Sequence, residues 1–162
     1  MATKYHNLSE YDPETIPPGR DKTFAIIVSE WNPEVTNAMC QAAMETLLDH
    51  EVQQDHITVY HVPGSFELIF AASKLAEGTG SPDAIIAVGS VVRGDTPHFD
   101  YICESVANNL GLLNTKVVCP VIFCVLTTDT MEQALDRAGG KLGNKGTEAA
   151  VAALKMVRRF GW

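Results

Sequence analysis

The sequence predicts an α/β protein, a three-layer α/β/α sandwich built on a four-stranded parallel sheet. Two observations carry this. Four short apolar runs are each followed by a stretch whose apolar residues recur at helical spacing, the alternation that produces parallel strands joined by right-handed crossovers. The residues that are neither core formers nor ordinary surface (tryptophan, glycine pairs, histidine, arginine) gather just after those runs. In such sheets this is the carboxyl edge, where ligands bind.

Residues 1–20 carry Pro13, Pro17, Pro18 and Gly19 with almost no apolar periodicity, and are expected to form an extended arm, flexible or laid against a neighbour. The single domain then occupies residues 21–162. The run TFAIIVS at 23–29 is continuous and apolar, hence a strand buried on both faces. Asn32 and Pro33 read as cap and first residue of a helix with Val35, Met39, Ala42, Ala43 and Leu47 inward, ending near His50. Residues 57–62 form the second strand. A helix from about Phe66 to Glu77 follows, with Leu68, Ile69, Ala72 and Leu75 inward, until Gly78 and Pro82 break it.

The third strand is expected at 84–88. Thr96 and Pro97 then read as cap and first position of a helix reaching about Asn114, with Phe99, Ile102, Cys103, Val106 and Leu110 on one face. The fourth strand is expected at 117–126, where Pro120 suggests an edge position or a bulge. Thr130 and Gln133 have capping-box spacing for a short helix ending at Gly139-Gly140. After a loop at 141–145, a last helix runs from about Thr147 to Phe160.

At 162 residues the chain holds one full core and is too short to suggest two. The net charge of −8, with acids and bases interspersed, argues against nucleic acid, since no basic stripe supplies counterion release. It argues equally against a basic membrane-binding face. No signal-type segment or membrane-length apolar stretch is present. The four cysteines (Cys40, Cys103, Cys119, Cys124) include no CxxC pair and sit in apolar patterns, the usage of reduced thiols in a cytoplasmic protein. The five histidines lack metal-ligand spacing, so no metal site is expected.

The stretch VGSVVRGDTPHFDYICE at 88–104 joins a strand end to a helix start. It places His98 in a first helical turn, where outward amides disfavour imidazolium and keep a histidine able to accept a proton. The same amides can hold a phosphate. Arg93-Gly94-Asp95 spells an adhesion tripeptide, read here as chance.

Five motifs in order then become recognisable: Trp31-Asn32, VPGSFE at 62–67, GSVVRGDTPHFDYI at 89–102, PVIFCVLT at 120–127 and DRAGGKLGNKG at 136–146. Together they resemble the lumazine synthase family of riboflavin biosynthesis, from about Phe24 to Phe160. The resemblance implies a flavodoxin-like fold. It also implies condensation of 5-amino-6-(D-ribitylamino)uracil with 3,4-dihydroxy-2-butanone 4-phosphate, without metal or organic cofactor. By the same resemblance Trp31 stacks on the pyrimidine, and Ser65, Phe66 and Glu67 grip the ribityl chain. Ser90, Val91 and Val92 face the pyrimidine's polar edge, and Phe123 packs the ring from the far side. Asp95 and Thr96 hold the phosphate-bearing substrate together with Arg137 and nearby Lys145, and His98 transfers protons.

The family also implies self-association into pentamers or larger shells with active sites at subunit interfaces, and admits riboflavin synthase as a partner. Two residues depart from its pattern. Glu30 stands where many relatives carry arginine, placing a negative charge beside the site. Pro97 replaces a small hydroxyl residue, which suits a helix start. Two other classes compete: a flavin- or nucleotide-binding module without chemistry, and a shell-forming scaffold. The first lacks a G-x-G-x-x-G or Walker pattern, and the second is opposed by intact His98 and Arg137.

Overall fold

The computed structural model describes Asn7 and residues 9–160. Strand β1 (Phe24–Ser29) leads to helix α1 (Pro33–Asp49), β2 (Ile57–Val62) to α2 (Leu68–Glu77), and β3 (Ala84–Val92) to α3 (His98–Asn114). Then come β4 (Val121–Thr128), α4 (Met131–Asp136), a small hairpin of β5 (Ala138–Gly140) and β6 (Gly143–Asn144), and α5 (Lys145–Phe160). The main sheet is parallel with order β2-β1-β3-β4, so the three-layer sandwich expected from the alternation is the observed architecture.

The core has two halves because successive strand residues face opposite sides. Phe24, Ile26 and Val28 of β1, with Ile86, Val88 and Cys124, pack under α1 and α5 through Val35, Met39, Ala43, Ala150 and Leu154. Ala25, Ile27, Ile85, Ala87 and Val125 pack under α2 and α3 through Leu68, Ala72, Val106 and Leu110. Strand β1 is buried at all six positions, as its continuous apolar run requires. Gly146 lets α5 approach α1: a Cβ there would sit 1.8 Å from the carbonyl oxygen of Met39.

Several boundaries differ from expectation, each for a local reason. Strand β3 runs four residues past Val88, because β4 continues the ladder up to Val92↔Thr128 after β1 has stopped. The fourth strand starts at Val121 rather than 117; Asn114 at the end of α3 fixes that start through hydrogen bonds to both backbone groups of Val121. Pro120 therefore precedes the strand, and β4 is an edge strand. Phe66 and Glu67 lie in a turn before α2 (Glu67 N–H to Gly64 C=O, 3.2 Å) instead of inside the helix. Thr96 does not cap α3; the first turn closes on the carbonyl of Pro97 (Asp100 N–H, 3.0 Å).

Gly139-Gly140 and part of the expected loop at 141–145 form the β5–β6 hairpin. Helix α5 begins at Lys145, with the Asn144 side chain accepting from Gly146 N–H at 2.8 Å. Half of the Thr130 box is formed as expected, Thr130 accepting from Gln133 N–H; the return bond shifts one residue, Gln133 accepting from Asp129 N–H at 2.9 Å.

Of the arm expected at 1–20, residues 1–6 and Leu8 lie outside the described residues. From Ser9 onward the segment lies on its own domain. Ser9 hydrogen-bonds the backbone of Asn144, Pro13–Thr15 form one 3-10 turn, Ile16 is buried, and Gly19 donates to the carbonyl of His50 at 2.8 Å.

Candidate functional site

The carboxyl edge of the sheet holds a cavity of about 590 Å³. Trp31, Asn32, Glu67, Ser90, Val92 and His98 are among its lining residues, with Ser65, Phe66 and Val91 beside them. Eight residues proposed from sequence therefore meet in one place, drawn from the ends of β1, β2 and β3 and the start of α3. Asn32, Gly64 and Ile102 also line it and were not among them.

Trp31 is 70% exposed, so it is no part of the core, and its large ring is presented to the cavity. Gly64 sits between this ring and a carboxylate. A Cβ there would lie 2.9 Å from Glu67 Oε2 and 3.3 Å from Trp31 Cδ1. Flat aromatic surface and an acceptor for hydroxyls are thus placed side by side, and only glycine lets the β2–α2 turn pass beneath both. Ser65 is buried, and its hydroxyl has no partner among the described residues. A Cβ on Gly89 would sit 2.7 Å from its Oγ, so this side chain points into the sheet and Ser65 has its backbone to offer.

The extension of β3 beyond β1 sets the next wall. Successive strand residues aim their N–H and C=O to opposite sides. Ile85 and Arg93 donate toward β4, so Ser90 and Val92 direct theirs toward the side where β1 has ended. Asn32 Nδ2 takes the carbonyl of Ser90 at 3.0 Å, from a left-handed backbone conformation (φ 55°, ψ 56°). Asn32 is at the cap position of α1 but makes no side-chain cap bond; its amide serves the neighbouring strand instead. His98 is the first residue of α3, exposed and facing the cavity, as its place in the 88–104 stretch requires. Asp95 and Thr96 are exposed on the loop between β3 and α3.

Five of the proposed residues do not line this cavity: Asp95 and Thr96 on the β3–α3 loop, and three others elsewhere. Phe123 is 37% exposed on edge strand β4. Arg137 is buried after α4, donating to the carbonyl of Leu142 at 2.8 Å and to Glu148 Oε1. Lys145 pairs with the other carboxylate oxygen of Glu148 at 3.1 Å. The two cations proposed for phosphate thus converge, but on Glu148 rather than on the cavity of the same chain. Glu148 lies eleven residues past Arg137 across a hairpin, a spacing without any periodic signature.

An open α/β sheet whose carboxyl edge combines an aromatic platform, a carboxylate, free backbone edges and a histidine defines a small-molecule enzyme of doubly wound type. The family model for 6,7-dimethyl-8-ribityllumazine synthase matches residues 21–160. Among relatives of that printed name, one from Porphyromonas gingivalis is 58% identical over 157 residues, covering 97% of each chain. Another from Parabacteroides distasonis is 53% identical over 97% of this chain and 98% of its own, and one from Christiangramia forsetii 49% identical over 98% and 94%. The chain belongs to the 6,7-dimethyl-8-ribityllumazine synthase family. Among the described residues no helix is long and apolar enough to cross a membrane.

Proposed function

We propose that this chain is the transferase that condenses 5-amino-6-(D-ribitylamino)uracil with 3,4-dihydroxy-2-butanone 4-phosphate. The products are 6,7-dimethyl-8-ribityllumazine, phosphate and water, the step before riboflavin itself. The observation that carries this reading is the meeting of Trp31, Glu67 and His98 around one cavity, in a chain of this family. Trp31 stacks on the flat pyrimidine, for which a large aromatic face is the natural partner. Glu67 and the turn at Ser65 and Phe66 accept the ribityl hydroxyls. The stretch Ser90–Val92 meets the polar edge of the ring, the backbone of Ser90 and Val92 facing it while Val91, between them, holds the strand to β4.

Imine formation, loss of phosphate and ring closure each move protons, and His98 serves these transfers as general acid and base. Asp95 and Thr96 meet the phosphate-bearing substrate at the mouth. Phe123, Arg137 and Lys145 complete the site from a neighbouring subunit. Their placement outside the cavity of their own chain supports this, with Phe123 exposed on an edge strand. The assembly is then a pentamer or a shell built from pentamers, working in the cytoplasm, where its four free cysteines stay reduced.

Mixing the purified protein with both substrates and following lumazine fluorescence tests this. Product at a rate well above the spontaneous reaction is expected. A rate equal to the spontaneous one overturns the reading.

A further inference from the structure

The loop from Gly94 to Pro97, which carries Asp95 and Thr96 and delivers His98, is exposed along its whole length. A Cβ on Gly94 would meet nothing within 4 Å. Its own residues therefore give it little to hold a single shape. Its two ends, however, are joined by one side chain. Arg93 continues the β3–β4 ladder through its backbone N–H to Thr128 (2.9 Å). Its Nε donates to Asp129 Oδ1 at 2.8 Å and its NH1 to Asp100 Oδ1 at 3.0 Å, in the first turn of α3. The guanidinium lies over the ring of Phe99, 4.1 Å from its centre. Asp129 is itself held, since its N–H is bound by Gln133 of the Thr130 capping box.

We propose that Arg93 is a positioning residue for the phosphate-bearing substrate: by tying Asp129, Asp100 and Phe99 together it fixes the 94–97 loop between β3 and α3. The inference rests on the condensation reading and names a residue which that reading did not use. A single exposed ion pair is worth little. Here one planar fork engages two carboxylates and stacks on a ring, a combination that lysine cannot reproduce. The contribution is to geometry more than to stability, because the three partners flank the loop, on the start of α3 and just past β4, and none belongs to the core. A loop that wanders loses alignment of the groups at its tip, and small misplacements cost rate and affinity steeply.

Arg93→Met and Arg93→Lys, compared with wild type by steady-state kinetics in both substrates, test this. Arg93→Met is expected to raise KM for the butanone phosphate about tenfold. KM for the aminouracil should stay within about twofold and inhibition by inorganic phosphate should weaken in parallel, with Arg93→Lys falling between. Equal changes in both KM values would mark a merely structural role and overturn the inference, as would unchanged kinetics in an active enzyme. Should Arg93→Met fail to fold, Asp129→Ala and Asp100→Ala each remove one arm of the tie. They are expected to show the same selective rise, and its absence overturns the inference. A wild type that makes no lumazine overturns the proposed function and this inference with it, whereas an active wild type with an indifferent Arg93 overturns only the inference.

Discussion

Asn32 donates its side-chain amide to the carbonyl of Ser90 at 3.0 Å, and it does so from a left-handed backbone conformation. The bond ties the β1–α1 corner to the part of β3 that β1 no longer pairs, so Trp31 and the cavity wall at 90–92 are set relative to each other. Asn32→Ala loses the bond and puts alanine, which unlike asparagine seldom enters the left-handed region, into a strained conformation. About 1 kcal/mol for the bond and 1–2 kcal/mol for the backbone are expected. Asn32→Gly relieves the strain and loses only the bond. Urea denaturation should therefore rank the variants wild type, Gly, Ala, while both raise KM for the aminouracil. Equal stability of Gly and Ala would show that the left-handed backbone carries no strain.

Trp31 is exposed and abuts Gly64 beside Glu67. Trp31→Ala is expected to weaken aminouracil binding by about 1–3 kcal/mol, the scale of stacking on a base. Affinity for the butanone phosphate should be nearly untouched, and so should the melting temperature, because the ring is not in the core. Calorimetric titration of each substrate separately reads the difference. Equal losses for the two would mark a structural residue.

The centre of the sheet was legible in the sequence because β1 and most of β3 are buried on both faces and read as unbroken apolar runs, with the partly exposed edge strands β2 and β4 on either side. The ends of the strands were not. Gly89 looks like the start of a turn, and only the neighbouring strand β4 shows that the backbone stays extended to Val92. Phe66 looks helical by spacing, yet its backbone belongs to the turn that Gly64 permits. The cavity residues could be named because they cluster after strands and carry the family's motifs. The pairings of Glu148 and of Arg93 could not be read from the sequence, because they form across a hairpin and across a loop, where no periodicity points.

His98→Ala should fold normally, since the side chain is exposed at the start of α3. Turnover is expected to fall by about one to three orders of magnitude, the range of general acid–base catalysis. The lower end is plausible chemically, because orientation of two reactive substrates supplies much of the rate. Single-turnover kinetics separate this from product release, and an unchanged single-turnover rate would remove His98 from the chemistry.

Burial pushes the Cys124 thiol up to about 12 and the Cys119 thiol up to about 11. In the unfolded chain both titrate near about 8.5. Above that pH the unfolded state loses protons that the native state keeps, so stability falls as pH rises, until the native thiols titrate in turn. The slope is at most about 1.4 kcal/mol per pH unit for each thiol. Denaturation midpoints measured from pH 8 to pH 10.5 should decline, and less so in the Cys119→Ala/Cys124→Ala double variant. Identical declines in the two proteins would place the effect elsewhere.

Arg137 offers the last test, because it has a structural task in its own chain and a proposed one at the phosphate. Its guanidinium is held by Leu142 and Glu148, and Lys145 grips the other oxygen of that carboxylate. Arg137→Ala leaves Glu148 half-buried with Lys145 as its remaining cation. The cost to stability is then expected below the 3–5 kcal/mol of a fully buried pair, at about 1–3 kcal/mol. The functional loss is of another kind. A cation removed from a desolvated phosphate site costs about 2–5 kcal/mol, so KM for the butanone phosphate should rise at least about tenfold with aminouracil binding little changed. Inorganic phosphate should compete with that substrate in the wild type and lose its effect in the variant. Wild-type chains mixed with Arg137→Ala/His98→Ala double-variant chains locate the residue. If Arg137 serves a neighbour's cavity, a mixed assembly retains fewer active sites than its share of wild-type chains, because some wild-type cavities then face a variant neighbour. Activity in strict proportion to the wild-type share would place Arg137 in service of its own chain. A wild type indifferent to phosphate would remove it from phosphate binding altogether.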